Sequence, residues 1–212
     1  MVKEAQKQDR GWIIWMAIVV VAVVAAVGIS IWIQHEQIMK EVESSFSKST
    51  DSDVTGHDRF AEAYTKLTSD NVFVYRNSSE IQKILQKGSG VVFFCDPASD
   101  WCQNYAPLLN DVAKAKNIEK VFYYNVVGGL KNDPNTYHEI SKLVTGNMPT
   151  GEKDYTDVPC TVFVSNGIIV GIDTETATEV ELEEGPEDYW TTERVETFTQ
   201  RINGYIDLIE AK

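Results

Sequence analysis

Sulfur and imidazole are scarce in this chain of 212 residues, which holds three cysteines and three histidines. Cys95, Cys102 and Cys160 are too few for a disulfide-stapled scaffold, and their spacing matches no zinc site, so no metal centre is expected. His35, His57 and His138 are scattered along the chain and are expected at the surface. Positive charge is also short, with 19 Lys and Arg against 32 Asp and Glu. No basic patch is present to neutralise a phosphate backbone, which argues against a nucleic-acid partner. Gly88, Gly90, Gly128 and Gly129 do not make a phosphate loop, and no serine sits in a nucleophile elbow. No cofactor is implied, and nothing repeats at a fixed period.

What the chain has in quantity is one long apolar run. From Trp12 to Ile33 there is no charge and a single hydroxyl, Ser30. Those 22 residues would span about 33 Å as a helix, the thickness of a bilayer core. Trp12, Trp15 and Trp32 stand where interfacial indoles are expected. The run is longer than the apolar core of a cleaved signal peptide, so an uncleaved anchor is expected. Lys3, Lys7 and Arg10 precede it, which places the N-terminus in the cytoplasm. The expected organisation is a cytoplasmic tail at 1–11, a transmembrane helix at 12–33, a polar linker at 34–57 and an extracytoplasmic domain at 58–212.

Within that domain the periodicity alternates between strand and helix. Short helices are expected near 58–67 and 80–86, the second capped by Ser78 or Ser79, with a strand at 71–75 between them. Val91 to Phe94 is a continuous apolar run, as in a strand covered on both faces. A helix over 99–115 follows, with Pro107 inside it. A strand is expected at 120–127, a loop at 128–136 and a small helix near 137–143. Strands at 160–164 and 168–172 flank the turn pair Asn166-Gly167. Eight acidic residues between Asp173 and Asp188 read as a solvated loop. A helix over 192–209 carries a broad apolar face. The order predicts an α/β fold with a mixed central sheet flanked by helices.

The chemistry concentrates in GVVFFCDPASDWCQNYAP, residues 90–107. Two cysteines at a strand-to-helix transition suit thiol chemistry, because helix N-terminal amides favour a thiolate. A Cys95–Cys102 disulfide is sterically conceivable, Cys160 is a third candidate for pairing with Cys102, and free thiols are the remaining alternative. Trp101 is expected to be the most exposed of the nearby aromatics, where its indole could meet an apolar side chain of a partner.

In this order and spacing the chain resembles the thioredoxin-like superfamily over roughly residues 71–209. The strand, turn, Cys102 and Pro107 are similar to its active-site helix, and Val158-Pro159 before a strand is similar to its cis-proline. The anchor, SSEIQKIL and WCQNYAPLL together resemble the membrane-anchored bacteriocin-transport accessory group. The resemblance implies a thioredoxin-like fold, a cis peptide at Pro159, and a binding rim made by Ser99, Trp101, Val158 and Pro159. The chain departs from the family at Ser99-Asp100-Trp101-Cys102, where the outer thiol of the usual C-x-x-C box is replaced by Ser99. A hydroxyl cannot form the mixed disulfide that exchange requires. The expected function is therefore a membrane-tethered accessory module that binds a protein or peptide client, or a membrane export assembly, with little dithiol exchange. The alternative is a thiol-disulfide oxidoreductase that uses Cys95 and Cys102 as its catalytic pair.

Overall fold

Gly90–Cys95 (β2) is the middle strand of a five-stranded mixed sheet whose order is β1 (Phe73–Tyr75), β3 (Val121–Asn125), β2, β4 (Cys160–Ser165) and β5 (Ile168–Asp173). The computed structural model describes residues 15–16, 50–147, 158–174 and 185–210. Contacts divide the chain into two units, 1–50 and 51–212, and the sheet belongs to the second.

β1 and β2 both run parallel to β3, while β4 lies antiparallel to β2 and pairs with β5. Parallel neighbours need crossovers, and helices supply them. They are α2 (Ser78–Lys87) between β1 and β2, and α3 (Asp100–Ala115) between β2 and β3. α1 (Thr50–Ala63) precedes the sheet; α4 (Val126–Asn132) and α5 (Pro134–Thr145) follow β3. The short α6 (Pro186–Tyr189) and the long α7 (Thr192–Glu210) complete the described elements.

Side-chain alternation along β2 divides the core in two. Val91, Phe93 and Cys95 face a cluster with Phe73, Val121, Tyr123 and Phe163, closed by Tyr105 and Leu109 of α3 and by Phe198, Ile202 and Ile206 of α7. Phe60 of α1 stacks on Phe73 with ring centres 4.2 Å apart, which ties the first helix to the edge strand. Val92 and Phe94 alternate to the other face, and α2 and α5, packed on each other, bury Ile81, Ile84, Ile140 and Val144. The hairpin turn holds Asn166 at φ 51° and Gly167 at φ 74°, the two left-handed positions of a tight two-residue turn. The molecule is thus an α/β fold with a mixed sheet between helices.

Several expectations need correction. Among the described residues no helix is long and apolar enough to cross a membrane. Of the expected span at 12–33 only Trp15 and Met16 are described, both helical, and the rest of that range lies outside the described residues. The transmembrane helix, the signal anchor, the bilayer contact and the single-pass topology with an outside domain therefore have no structural support and are withdrawn. The tail at 1–11 and residues 34–49 of the expected linker also lie outside the described residues. α1 begins at Thr50, inside the range read as linker, and ends at Ala63. Asn77, not Ser78 or Ser79, caps α2, through a reciprocal pair with Glu80. The loop expected over 128–136 is largely helical, forming α4 and the start of α5.

Candidate functional site

β2 stops at Cys95 and α3 starts at Asp100, so Asp96, Pro97, Ala98 and Ser99 turn the chain from sheet to helix. Asp96 shapes this turn: its carboxylate accepts from the Ala98 N–H at 3.1 Å and its carbonyl from the Ser99 N–H at 3.0 Å. Ser99 is extended, with φ −85° and ψ 123°, and its Oγ accepts from the Cys102 N–H at 3.4 Å. It is the N-cap of α3, satisfying one of the amides that the first helical turn leaves unpaired. Gln103 pins the turn from behind. Its Nε2 donates to the carbonyls of Ala63 and Pro97, both at 2.8 Å, and its Oε1 accepts from the Thr65 N–H at 3.2 Å.

This geometry brings the α-carbons of Cys95 and Cys102 to 5.9 Å, and the two sulfurs are bonded. The bond joins the two cysteines that the alternative reading pairs, and it fits that alternative better than an S-x-x-C site with little dithiol exchange. Ser99 does stand at the outer position of the S-x-x-C segment, but the partner of Cys102 comes from the strand end. Both cysteines are fully buried. They lie in the apolar cluster with Phe93, Tyr105 and Phe198, and the half-buried Val158 packs against it. The Tyr123 hydroxyl donates to the Cys95 carbonyl at 3.3 Å, and the Tyr64 hydroxyl donates to that of Tyr123 at 3.2 Å. Burial pushes both phenols up in pKa, so they stay neutral donors.

Trp101 is half-buried, and its ring meets that of Tyr189 edge-on at 5.4 Å. Trp190 continues this aromatic layer, 6.2 Å from Tyr105 and 5.4 Å from Phe198 between ring centres. The Val158–Pro159 peptide is cis, and Pro159 is buried at the head of β4. Cys160 is free and buried. It lies across from Phe94 in the ladder, so it points to the sheet face away from Cys95 and takes no part in the disulfide. Burial and the nearby Asp173 push its thiol up in pKa.

One group in this region escaped the sequence reading. Asp173, read there as the start of a solvated loop, is the last residue of β5 and only 2% exposed. The Tyr105 hydroxyl donates to it at 2.6 Å and Arg201 Nε at 2.8 Å, while Tyr105 also meets Thr161 Oγ1 at 2.9 Å. Burial and the Asp173 carboxylate push the Tyr105 phenol well up in pKa. Of the rest of the acidic run, residues 175–184 lie outside the described residues, while Glu187 and Asp188 belong to α6. Among the described residues no cluster of His, Cys, Asp and Glu is placed to hold a metal ion.

No family model matches the chain. No curated protein matches it either. The resemblance to the thioredoxin-like superfamily and to membrane-anchored bacteriocin-transport accessory proteins is corrected on that ground, and among the described residues no helix supplies the membrane span that singled out the accessory group. With it goes the export assembly as a partner.

Proposed function

We propose that this chain is a thiol-disulfide oxidoreductase whose redox couple is Cys95 and Cys102. The observation that carries the reading is the bond between a strand end and the first turn of a 16-residue helix. At that helix terminus the amide dipoles favour negative charge on Cys102 sulfur. When a substrate thiolate attacks, Cys95 is therefore the sulfur that forms the mixed disulfide and Cys102 the sulfur that leaves with the electron pair. A second substrate thiolate then displaces Cys95, so the substrate dithiol becomes a disulfide and the two cysteines become thiols. Run backwards, the same steps reduce a substrate disulfide. Because both cysteines are covered, attack requires local opening of the layer above them, which makes exchange slow relative to an exposed pair.

That same burial favours a second reading, in which the bond is a structural staple. Insulin reduction by dithiothreitol separates the two. The parent chain is expected to accelerate turbidity above the dithiothreitol background, and Cys95→Ser and Cys102→Ser are each expected to return it to background. A parent no faster than either variant would leave only the staple.

A further inference from the structure

Short α6 and the two residues that join it to α7, Trp190 and Thr191, lie against α3 near the disulfide. Tyr189 sets its ring edge-on to that of Trp101, one residue before Cys102, with centres 5.4 Å apart. Trp190 stands 6.2 Å from Tyr105 and 5.4 Å from Phe198 between ring centres, and it packs against the apolar cluster that holds both cysteines. Tyr105 follows Cys102 by three residues, so the two share a face of α3, and the Trp190 indole covers that face.

Arg194 of α7 fixes the outer side of this segment: its guanidinium lies 4.1 Å from the Tyr189 ring centre, and its Nη1 donates to the Tyr189 carbonyl at 3.1 Å. Lys66 Nζ meets Glu187 Oε1 at 3.1 Å, an exposed ion pair of small worth. Gly185, the N-cap of α6, brings no side-chain cap. On the inner side Trp190 Nε1 is buried with no hydrogen-bond partner. A buried donor left unpaired costs free energy that is recovered when it reaches water, so the closed position carries its own bias toward opening. We propose that residues 185–191 form a strap that gates the access of thiols to the Cys95–Cys102 bond, closing over α3 and lifting from it while the sheet and α3 stay folded. As the gate of the redox couple assigned above, the strap rests on that reading.

The test is the rate at which dithiothreitol reduces the bond in the native full chain, the reagent becoming its cyclic disulfide as Cys95 and Cys102 become thiols. Samples quenched in acid and alkylated in denaturant are read by mass, with one label on the bonded chain, at Cys160, and three on the reduced chain. Lifting the strap exposes little surface, so the parent rate is expected to be nearly independent of urea well below the unfolding midpoint. Trp190→Ala is expected to raise the rate about tenfold, and Arg194→Gln, which removes no apolar core side chain, about fivefold. Ile140→Val, on the opposite face of the sheet, is expected to leave it unchanged. A parent rate that climbs with urea in step with global unfolding, or one shared by the parent, Trp190→Ala and Arg194→Gln, overturns the strap. Insulin turbidity is read on the same proteins: reduction that depends on the strap in a chain without insulin activity refutes the couple and leaves the gate, whereas insulin activity with strap-independent reduction refutes the gate and leaves the couple.

Discussion

Reducing the Cys95–Cys102 bond removes a constraint on the unfolded chain without changing any side chain, so its effect on stability can be worked out from loop length. The bond joins residues seven apart. In the chain-entropy treatment a closed loop of about eight residues is worth about 2.5 kcal/mol at 25 °C. For a domain of this size about 1 kcal/mol moves the thermal midpoint by 2 to 4 °C, which gives a drop of about 5 to 10 °C on reduction. Because the bond is buried, its reduction in the native chain waits on local opening, so the reduced sample is brought to completion by unfolding in dithiothreitol and refolding in it. Circular dichroism melts of both forms supply the measurement. Cys95→Ala/Cys102→Ala serves as the control and should melt at one temperature with or without reductant, since Cys160 alone cannot form an intrachain bond. Equal midpoints for oxidised and reduced parent chains would refute the reasoning, as would a double variant that still responds to reductant.

The parts of this fold that were legible in the sequence are those where one local rule acts unopposed. The apolar run Val91 to Phe94 reads as a covered strand because both of its faces are buried, and Asn166-Gly167 reads as a hairpin turn because both residues must be left-handed. α4 was illegible for the opposite reason. Gly128 and Gly129 signal a loop, yet Asn125 Oδ1 accepts from the Gly128 N–H at 2.7 Å and starts a helix, and the Tyr124 hydroxyl occupies the space that a side chain at Gly129 would need. Asp173 is the clearest conflict between composition and context. Its acidic neighbours say solvent, but its place opposite Thr161 on β5 sets it beside the Tyr105 hydroxyl and Arg201, partners 68 and 28 residues away in sequence. The disulfide stood among three alternatives because spacing could not say that Asp96 and Gln103 fold the intervening turn tightly enough to join its ends. Ser99, in turn, serves the helix as its cap.

Asp173→Ala is expected to cost about 3 kcal/mol in denaturant unfolding, because it leaves the buried Tyr105 hydroxyl with Thr161 alone and removes the ion pair with Arg201. Asp173→Asn keeps an acceptor for Tyr105 and should lose less. An Asp173→Ala variant within about 1 kcal/mol of the parent, the cost of an average substitution, would show that the network carries little. Alkaline pH probes the same interior through groups that the fold holds protonated. Burial raises the pKa of Cys160, Tyr64, Tyr105 and Tyr123 above their ordinary values. In the unfolded chain the thiol releases its proton near pH 8.5 and the phenols near pH 10. Above those values the folded state holds more protons than the unfolded one, so stability falls as pH rises, by up to about 1.4 kcal/mol per pH unit for each group. Urea midpoints should therefore be flat to about pH 8.5, begin to fall as the Cys160 contribution enters, and fall more steeply past about pH 10 as the phenols join. Cys160→Ala should abolish the early part of the decline and leave the later part unchanged. A profile that stays flat to pH 10.5, on the phenol value of about 10, would mean that these groups already reach water in the native state, against the packing that buries both them and the disulfide.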